Sequence, residues 1–266
     1  RGQLDELLKQ HKVVGLHGID TRALTKIIRE SGVMNGCITA APASVNLSAL
    51  RSYRIKGAVA AVSTKEKYRA DIADPLFKVA LIDAGAKHNI IAELNLRRCS
   101  VVVFPHDASA EEILAERPDG IMVSNGPGDP ADNPQVIATV RRLLDAKIPM
   151  FGICLGHQLI ALASGFKTEK LKFGHRGANQ PVKDTVTGRV FITSQNHGYA
   201  VTSASIDGLV ARLSYVNLND GTCEGIDYVG KPAFGIQFHP EHCPGPRDTA
   251  FIFDRFLKLM EEVKNA

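Results

Sequence analysis

The sequence lacks several features that would point to a membrane, secreted or zinc-binding protein. Five of its 266 residues are cysteine, an odd number with no Cys-x-x-Cys pair, which argues against a disulfide framework or a zinc ribbon. No apolar run approaches the roughly 20 residues that a membrane-spanning helix needs. The opening residues RGQLDELLKQ do not resemble a secretory signal. We therefore expect free thiols, which fit a reducing compartment, and we expect a cytoplasmic protein with no membrane partner.

Strong charge of one sign and phosphate-binding loops are also missing. The chain carries 32 Lys+Arg and 28 Asp+Glu, for a formal net charge of +4, and the two signs are interleaved. Nucleic-acid-binding proteins usually cluster their basic residues, so no nucleic-acid partner is expected. No GxxxxGK[ST] pattern occurs, which excludes a Walker-type ATP site. With 44% hydrophobic residues, the composition is that of an ordinary globular protein.

The first part of the chain has too few predicted elements to form a core. Residues 19–32 are expected to form a helix with Asp20 as N-cap, and residues 35–42 (NGCITAAP) are expected to form a strand that ends at a proline. We interpret residues 1–42 as the C-terminal fragment of a smaller N-terminal domain, or as a piece that docks on the rest. Residues 43–76 have weak periodicity and are predicted to be a linker with one short helix.

From residue 77 onwards, short apolar runs alternate with helical patterns. The predicted strands are 77–83, 100–105, 120–125 and 149–153, and the predicted helices between and after them are 88–98, 109–117, 133–146 and 157–165. This alternation is typical of βαβ units and a parallel sheet. Further short strands are predicted at 189–196, 209–215, 223–229 and 233–238, before a final helix at 249–263. The prediction for 77–266 is an α/β fold whose mostly parallel central sheet, flanked by helices, carries an added antiparallel β portion.

The segment FGICLGHQ is the strongest sign of catalysis. A predicted strand leads into Gly152-x-Cys154-x-Gly156, and a helix follows at once, which is the nucleophile-elbow pattern with cysteine in place of serine. The start of a helix stabilises the thiolate form of such a cysteine. The alternative is a buried structural cysteine, which is the usual state of a lone free cysteine. The paired glycines favour the nucleophile.

The segment FHPEH supplies a candidate base for this cysteine. His239 follows the predicted strand AFGIQF, and Glu241 is placed to orient its imidazole. One alternative is a metal site formed by His239, Glu241, His242 and Cys243, although ligands this close in sequence strain a tetrahedral shell. A second alternative is an ordinary surface turn. We expect no metal here.

Two polar corners follow other predicted strands. The loop SNGPGDP resembles a dinucleotide fingerprint around Gly126 and Gly128, but its prolines interrupt any helix and Asp129 would repel a pyrophosphate. Its backbone N–H groups are better suited to an oxyanion or a substrate amide. The segment TSQNHGY, residues 193–199, is weak evidence for chemistry by itself, and on its residues alone we favour a β-turn.

Taken together, NGPGDP, FGICLGHQ and FHPE resemble the class I, triad-type glutamine amidotransferases, and the resemblance extends from about residue 77 to the end of the chain. Within that family, three further segments are similar to the glutamine-hydrolysing small subunits of carbamoyl-phosphate synthetases. They are GIDTRALTKIIRESGVMNGCI, KFGHRGANQPV and SQNHGYAV. The chain is shorter than such a subunit, so we expect it to represent the later part of one.

The resemblance implies a role for each matching residue. Cys154 would be the nucleophile, His239 the base and Glu241 the orienting acid, and the backbone N–H groups of Gly128 and Leu155 would form the oxyanion hole. The positions that match the family's glutamine-binding set are Gly126, Gly128, Leu155, Gln158, Asn196, Gly198 and Tyr199. Tyr199 is commonly phenylalanine in the family, and the contact there is largely made by the backbone.

The resemblance also implies the reaction and its partners. The chain would hydrolyse L-glutamine through a glutamyl thioester and pass ammonia to a large synthetase subunit. That subunit would make carbamoyl phosphate from bicarbonate for arginine or pyrimidine synthesis, and it would hold the ATP and magnesium, so no cofactor is expected on this chain. The alternatives are an amidotransferase subunit of another synthase, a cysteine peptidase on the same scaffold, or a regulatory binding subunit.

Overall fold

The structure, a computed structural model, describes residues 3–241, 246 and 248–266. It divides into a small unit, Arg1–Ile55, and a larger unit, Lys56–Ala266. In the described part of the chain, no helix has both the length and the apolar character needed to cross a membrane.

The small unit contains three helices in its described residues: α1 (Leu4–Gln10), α2 (Thr21–Ser31) and α3 (Leu47–Ser52). The Asp20 side chain accepts a hydrogen bond from Ala23 N at 2.9 Å, and Gly32 ends α2 with φ of 84°. The N-cap is the one that the sequence predicts, and the positive φ of Gly32 is a conformation that glycine adopts without steric cost. None of the three helices contains a buried residue.

The predicted strand at 35–42 is wrong. The described residues there form irregular backbone that leads into a short 3-10 turn at Pro42–Ser44. A strand needs a partner whose N–H and C=O groups complete the ladder, and the described residues of this unit contain no other strand. Instead, Asn35 Nδ2 donates to the carbonyl oxygens of Leu50 and Tyr53, both at 2.9 Å. These side-chain bonds tie the segment to the end of α3.

The larger unit alternates strands and helices along the chain. Its strands are β1 (Tyr68–Ala70), β2 (Phe77–Asp83), β3 (Cys99–Pro105), β4 (Gly120–Val123), β5 (Met150–Ile153), β6 (Thr168–Asp184), β7 (Val190–Val201), β8 (Ala211–Asn217), β9 (Cys223–Tyr228) and β10 (Ala233–Ile236). Its helices are α4 (Ala58–Val62), α5 (His88–Leu96), α6 (Ala110–Ala115), α7 (Pro134–Asp145), α8 (Leu155–Ala163) and α9 (Phe251–Lys264).

The ten strands found in the described residues belong to one sheet, in the order β1-β3-β2-β4-β5-β10-β9-β8-β6-β7. Strands β3, β2, β4, β5 and β10 are parallel to one another. The sheet then continues through the antiparallel strands β9, β8, β6 and β7, and β1 adds an antiparallel strand at the other edge. The predicted α/β fold, a parallel central sheet with an antiparallel extension, is therefore confirmed. The parallel strands are apolar along their length because both of their faces are buried.

The division of the chain falls inside the predicted linker at 43–76. Its later part lies in the larger unit, where α4 buries Val59 and β1 pairs antiparallel with β3. Thr64 N donates to Asp83 Oδ2 at 2.7 Å, and His106 N donates to Ser63 Oγ at 3.0 Å. These contacts join residues far apart in sequence, so local periodicity gave no sign of them.

Strand β6 is the longest strand and was not predicted. It spans 17 residues and pairs with β7, with register shifts between Lys170 and His175 and between Gly177 and Gln180. Glycine and proline are unfavourable inside regular strands, and KFGHRGANQPV contains two glycines and a proline. The two glycines lie at these register shifts, whereas Pro181 pairs in regular register with Ile192.

An aromatic cluster packs α9 against the sheet. The rings of Phe151 and Phe234, on neighbouring strands β5 and β10, stack at 4.5 Å. Phe253 and Phe256 of α9 contact Phe151 at 5.9 and 5.7 Å. All four side chains are almost completely buried. Offset and edge-to-face aromatic pairs add to the stabilisation that burial itself provides.

Replacing Phe256 by alanine is expected to lower the free energy of unfolding by about 3–5 kcal/mol, because it leaves a cavity beneath Phe151. The measurement is urea denaturation followed by circular dichroism. The matched control on the same helix is Phe251→Ala, since Phe251 is 40% exposed and should cost far less. Equal effects of the two substitutions would show that α9 is not held by this cluster.

Candidate active site

Cys154 lies on a tight turn between β5 and α8. Its backbone has φ of 53° and ψ of −104°, a left-handed value that is uncommon for a residue with a side chain. A Cβ on Gly156 would lie 2.0 Å from Val123 O, and one on Gly152 would lie 2.7 Å from the Gly156 backbone. No other residue type fits at either position. The structure thus contains the tight turn that the glycine spacing predicts.

The register between β5 and β10 brings His239 to the same edge of the sheet as Cys154. The two strands are parallel with Ile153 opposite Ile236, and Cys154 N donates to Ile236 O at 2.8 Å. His239 follows β10, and its N–H donates to Ser194 O at 2.9 Å. Both Cys154 and His239 are only 4% exposed.

Glu241 and Lys87 lie behind the imidazole of His239. His239 Nδ1 is 2.7 Å from Glu241 Oε1, and Lys87 Nζ is 3.1 Å from the same oxygen. Glu241 therefore holds the Nδ1 side of the ring. The side chain of His239 also interacts with Cys154, and Nε2 is the ring nitrogen available for that contact. This is the arrangement of nucleophile, base and orienting acid that a catalytic triad requires.

Electrostatics favour a charged imidazole. Burial disfavours the imidazolium, but the Cys154 sulfur and the Glu241 carboxylate outweigh burial and raise the pKa of His239 to about 9. Burial raises the pKa of Glu241, but its contacts with His239 and Lys87 outweigh this and leave that pKa below its usual value. An imidazolium at this position can give a proton to a leaving group held at Cys154.

The loop after β4 lies beside the thiol and offers backbone donors. Asn125 Oδ1 accepts from Lys87 N at 3.1 Å, and Asn125 Nδ2 donates to Gly85 O at 3.2 Å. These bonds fix the loop to the end of β2. Gly128 of this loop lines the same cavity as Leu155, the first residue of α8. The N–H of a first helical residue has no acceptor within its helix, so it is free for a substrate oxygen.

The opposite wall of the cavity is formed by α8 and the end of β7. Gln158 Nε2 donates to Tyr199 O at 2.7 Å and to Gln237 Oε1 at 2.8 Å. Asn196 and Gly198 line the cavity beside Tyr199. This wall is the segment TSQNHGY, whose residues alone favour a β-turn. The structure makes it part of an antiparallel strand instead.

The cavity has a volume of about 420 Å³, within the range of small-molecule sites. It brings together nine of the residues singled out from the sequence: Gly126, Gly128, Cys154, Leu155, Gln158, Asn196, Gly198, Tyr199 and His239. Glu241 lies behind His239. Two cationic residues that line the cavity, Lys87 and Arg176, were missed. Arg176 belongs to KFGHRGANQPV, whose only signal in the sequence is its family resemblance.

A buried polar network lies beneath this wall. His175 Nδ1 and His197 Nε2 both lie 2.9 Å from Gln195 Oε1, and His175 Nε2 lies 2.8 Å from Asp220 Oδ2. Burial opposes protonation of His175, but Glu224 and Asp220 outweigh it and raise the pKa of His175 to about 9. Burial also raises the pKa of Glu224, against the opposing effect of its hydrogen bonds with His175 and Asn217. The network therefore couples His175 to two carboxyl groups.

The same network contains a group that could ligate a metal. Ligand atoms of His175, His197 and Glu224 all lie within 4.8 Å of one another. Each of these side chains already has a protein hydrogen-bond partner, so we interpret the group as a hydrogen-bond network. Of the alternative metal site around His239, His242 and Cys243 lie outside the described residues.

Comparison with known proteins identifies the family. The sequence pattern of the family described as glutamine amidotransferase class-I matches residues 80–259. That of the carbamoyl-phosphate synthase small chain, CPSase domain, matches residues 1–38. The chain belongs to the class I glutamine amidotransferases.

Curated relatives place it more narrowly in the family. The chain is 50% identical over 269 residues to the carbamoyl phosphate synthase small chain of Bacillus caldolyticus, with 98% of this chain and 72% of that protein covered. It is 47% identical to the carbamoyl phosphate synthase pyrimidine-specific small chain of Bacillus subtilis, with 97% of this chain and 70% of that protein covered. At these identities and coverages, it is a member of the carbamoyl phosphate synthase small-chain family.

Solved structures agree on the fold. A Thermoplasma acidophilum protein described as a GMP synthase subunit superposes with a TM-score of 0.62 at 21% identity, covering 71% of this chain and 96% of that one. A glutamine amidotransferase from Thermotoga maritima superposes with a TM-score of 0.51 at 18% identity, covering 70% of this chain and 85% of that one. At such identities the likeness shows the fold of this family and nothing finer.

Replacing Glu241 by glutamine is expected to move the alkaline limb of the pH profile for glutamine hydrolysis to lower pH. The carboxylate is one of the groups that hold the pKa of His239 near 9, and loss of an adjacent opposite charge lowers such a pKa by about 1–3 units. The imidazolium is present below this pKa and lost above it. Because the variant has the lower pKa, its rate should begin to decline at a lower pH than the rate of the native protein. The measurement is kcat/KM across neutral and alkaline pH.

The control for this experiment is Asp145→Asn, which removes an exposed carboxylate paired with Lys231 at 2.8 Å. Its pH profile should match that of the native protein. An unchanged alkaline limb in Glu241→Gln would show that this carboxylate does not set the protonation of His239.

Proposed function

We propose that the chain hydrolyses L-glutamine and supplies the ammonia to a large carbamoyl phosphate synthase chain. The observation that carries this proposal is that Cys154, His239, Gly128 and Leu155 all line one cavity. Family membership supports glutamine as the substrate, because it restricts the reactions that a cysteine–histidine site of this kind performs.

In the first half of the reaction, the Cys154 thiolate attacks the side-chain carboxamide carbon of glutamine. The carbonyl oxygen becomes an oxyanion that the N–H groups of Gly128 and Leu155 stabilise. Loss of one such donor typically costs on the order of 10²–10³ in rate. As the tetrahedral intermediate collapses, the His239 imidazolium gives its proton to the amide nitrogen. Ammonia leaves, and the glutamyl group remains on Cys154 as a thioester.

In the second half, water hydrolyses the thioester. His239, now neutral, takes a proton from the attacking water, and the oxyanion forms again in the same position. Collapse of this intermediate breaks the carbon–sulfur bond and releases glutamate. Cys154 returns as the thiolate beside the imidazolium. Glu241 keeps the ring oriented and stabilises its positive charge in both halves.

The match of residues 1–38 to the small-chain domain favours a carbamoyl phosphate synthase over another amidotransferase. The chain therefore works with a large synthetase chain that makes carbamoyl phosphate from bicarbonate, for pyrimidine or arginine synthesis. ATP and magnesium bind to that chain, and this one needs no cofactor. Free cysteines fit a reducing compartment, which supports the cytoplasm as the site of the reaction.

Cys154→Ala is expected to abolish glutamine-dependent carbamoyl phosphate synthesis in the assembled enzyme and to leave ammonia-dependent synthesis intact. The variant cannot form the thioester, whereas free ammonia bypasses this chain. The measurement is carbamoyl phosphate formation with each nitrogen source.

Cys37→Ser is the matched control, because Cys37 is an exposed cysteine, and it should behave as the native protein with both nitrogen sources. Glutamine use at the native rate by Cys154→Ala would refute the proposed nucleophile. Release of ammonia from glutamine, compared with cleavage of a peptide panel, separates an amidotransferase from a cysteine peptidase.

A further inference from the structure

Asp83, the last residue of β2, holds backbone N–H groups with both of its carboxylate oxygens. Its Oδ1 accepts hydrogen bonds from Gly85 N at 2.8 Å and from Ala86 N at 2.7 Å, and its Oδ2 accepts one from Thr64 N at 2.7 Å. Asp83 is only 7% exposed, and no step of the proposed reaction uses it. Hydrogen bonds to an ionised acceptor are roughly twice as strong as neutral ones. The carboxylate therefore holds the turn that follows β2 firmly in place.

This turn supports the loop that follows β4. A Cβ on Gly126 would lie 2.1 Å from Ala84 O, and a Cβ on Gly85 would lie 3.1 Å from Pro127 Cδ and 3.4 Å from Gly126 Cα. The turn and the loop therefore touch along their backbones at a distance that leaves no room for a side chain. Since packing this close cannot absorb a shift, a displacement of the turn also displaces the loop of residues 126–128.

Hydrogen bonds join the turn to the loop as well. Ala84 N donates to Ser124 Oγ at 2.9 Å, and this hydroxyl donates to Asn125 O at 2.8 Å. The side chain of Asn125 donates to Gly85 O at 3.2 Å. Each of these bonds connects the loop after β4 to the turn or to the hydroxyl that the turn holds. The position that Asp83 gives to the turn is thus passed on to the loop.

The other carboxylate oxygen of Asp83 fixes the chain just after α4, through Thr64 N. Helix α4 lies on the far side of the same loop, because a Cβ on Gly128 would lie 3.2 Å from the Cβ of Ala58. Val62, near the end of this helix, lines the cavity together with Gly128. Gly128 is therefore flanked by two segments, the turn after β2 and α4, and one carboxylate holds both.

We propose that Asp83 is a positioning residue for glutamine hydrolysis, because it fixes the backbone of Gly128 at the place where the oxyanion forms. This inference rests on the proposed function and adds a residue that does not touch the substrate. A donor aimed at developing charge acts mainly in the transition state. Supporting hydrogen bonds behind such a donor keep it in the productive position. Asp83 therefore supports kcat and contributes little to the binding of glutamine.

The test uses the full-length subunit assembled with its large chain. Asp83→Ala should lower kcat for glutamine hydrolysis by about 10- to 100-fold, the scale of a displacement of about 1 Å. KM should stay nearly unchanged, because the lost interaction is made only in the transition state. Asp83→Asn, which keeps the shape and one acceptor oxygen, should lose less activity. It also carries the test if Asp83→Ala fails to fold, since its kcat should still lie below that of the native protein.

A second measurement is inhibition by L-norvaline, which has the α-amino and α-carboxylate groups of glutamine but no oxygen on its side chain. Its Ki should be the same in the native protein and in both Asp83 variants, because it places nothing at the oxyanion position. A rise in this Ki as large as the loss in kcat/KM would overturn the inference, since it would show a general loss of structure around the cavity.

The pH profile separates this role from one exerted through Lys87, which follows the same turn and contacts Glu241 at 3.1 Å. A displaced oxyanion donor lowers the rate by the same factor at every pH. A disturbed contact between Lys87 and Glu241 would instead move the alkaline limb that His239 determines. A moved alkaline limb in Asp83→Asn would therefore contradict the proposed route.

The matched control is Asp184→Asn, in β6 and outside the cavity. Asp184 Oδ1 also accepts from two backbone N–H groups, those of Val186 at 2.8 Å and Thr187 at 3.0 Å. This variant should keep the native kcat, KM and Ki. Native kcat in both Asp83 variants would refute the positioning role. If the native protein releases no ammonia from L-glutamine, the proposed function itself fails, and this outcome is distinct from the others.

Discussion

Strands β5 and β10 run parallel with Ile153 opposite Ile236, and the whole site depends on this register. The carboxyl ends of parallel strands lie at one edge of a sheet, so the residues that follow them emerge side by side. The hydrogen bond from Cys154 N to Ile236 O extends the pairing by one residue beyond the strand. His239 then lies close enough to activate the thiol. A one-residue slip would reverse which face each side chain occupies.

The same register is maintained by groups on both sides of the sheet. On one face, the stacked rings of Phe151 and Phe234 join β5 to β10 beneath α9. At the edge, Gly152 and Gly156 let α8 approach the backbone of Val123. A strained backbone such as that of Cys154 typically costs about 1–3 kcal/mol and persists where its surroundings fix it. Dense packing on both sides provides that support.

The sequence predicts best those features that a few neighbouring residues determine. The strands of the parallel sheet are short apolar runs, and Gly152-x-Cys154-x-Gly156 encodes a turn within five residues. The fold, and the tight turn that carries the candidate nucleophile, could therefore be predicted without any partner strand in view. The predicted strand at 35–42 is wrong because a local sequence pattern does not supply the edge that a strand must pair with. The long strand β6 was missed because its glycines and proline oppose regular pairing, and its stability depends on β7 and β8.

The cationic residues of the cavity were missed for a related reason. Lys87 follows β2 and Arg176 lies in β6, far in sequence from Cys154. Only the order of strands in the sheet makes them neighbours. A basic residue in a polar segment looks like a solvated surface side chain, and no local pattern distinguishes the two. Once the topology is known, Lys87 is singled out by its place after β2, and Arg176 is singled out by its pairing with Asn196 of β7.

Strand β7 connects the buried charges to the cavity through one carbonyl oxygen. His197 Nδ1 and Gln158 Nε2 each lie 2.7 Å from Tyr199 O. His197 belongs to the network that holds the His175 imidazolium, and Gln158 lines the cavity. Burying ionised groups is costly unless each is paired and hydrogen-bonded. Here the network and the cavity wall share β7, because His197 takes part in the network and also lines the cavity beside Asn196 and Gly198.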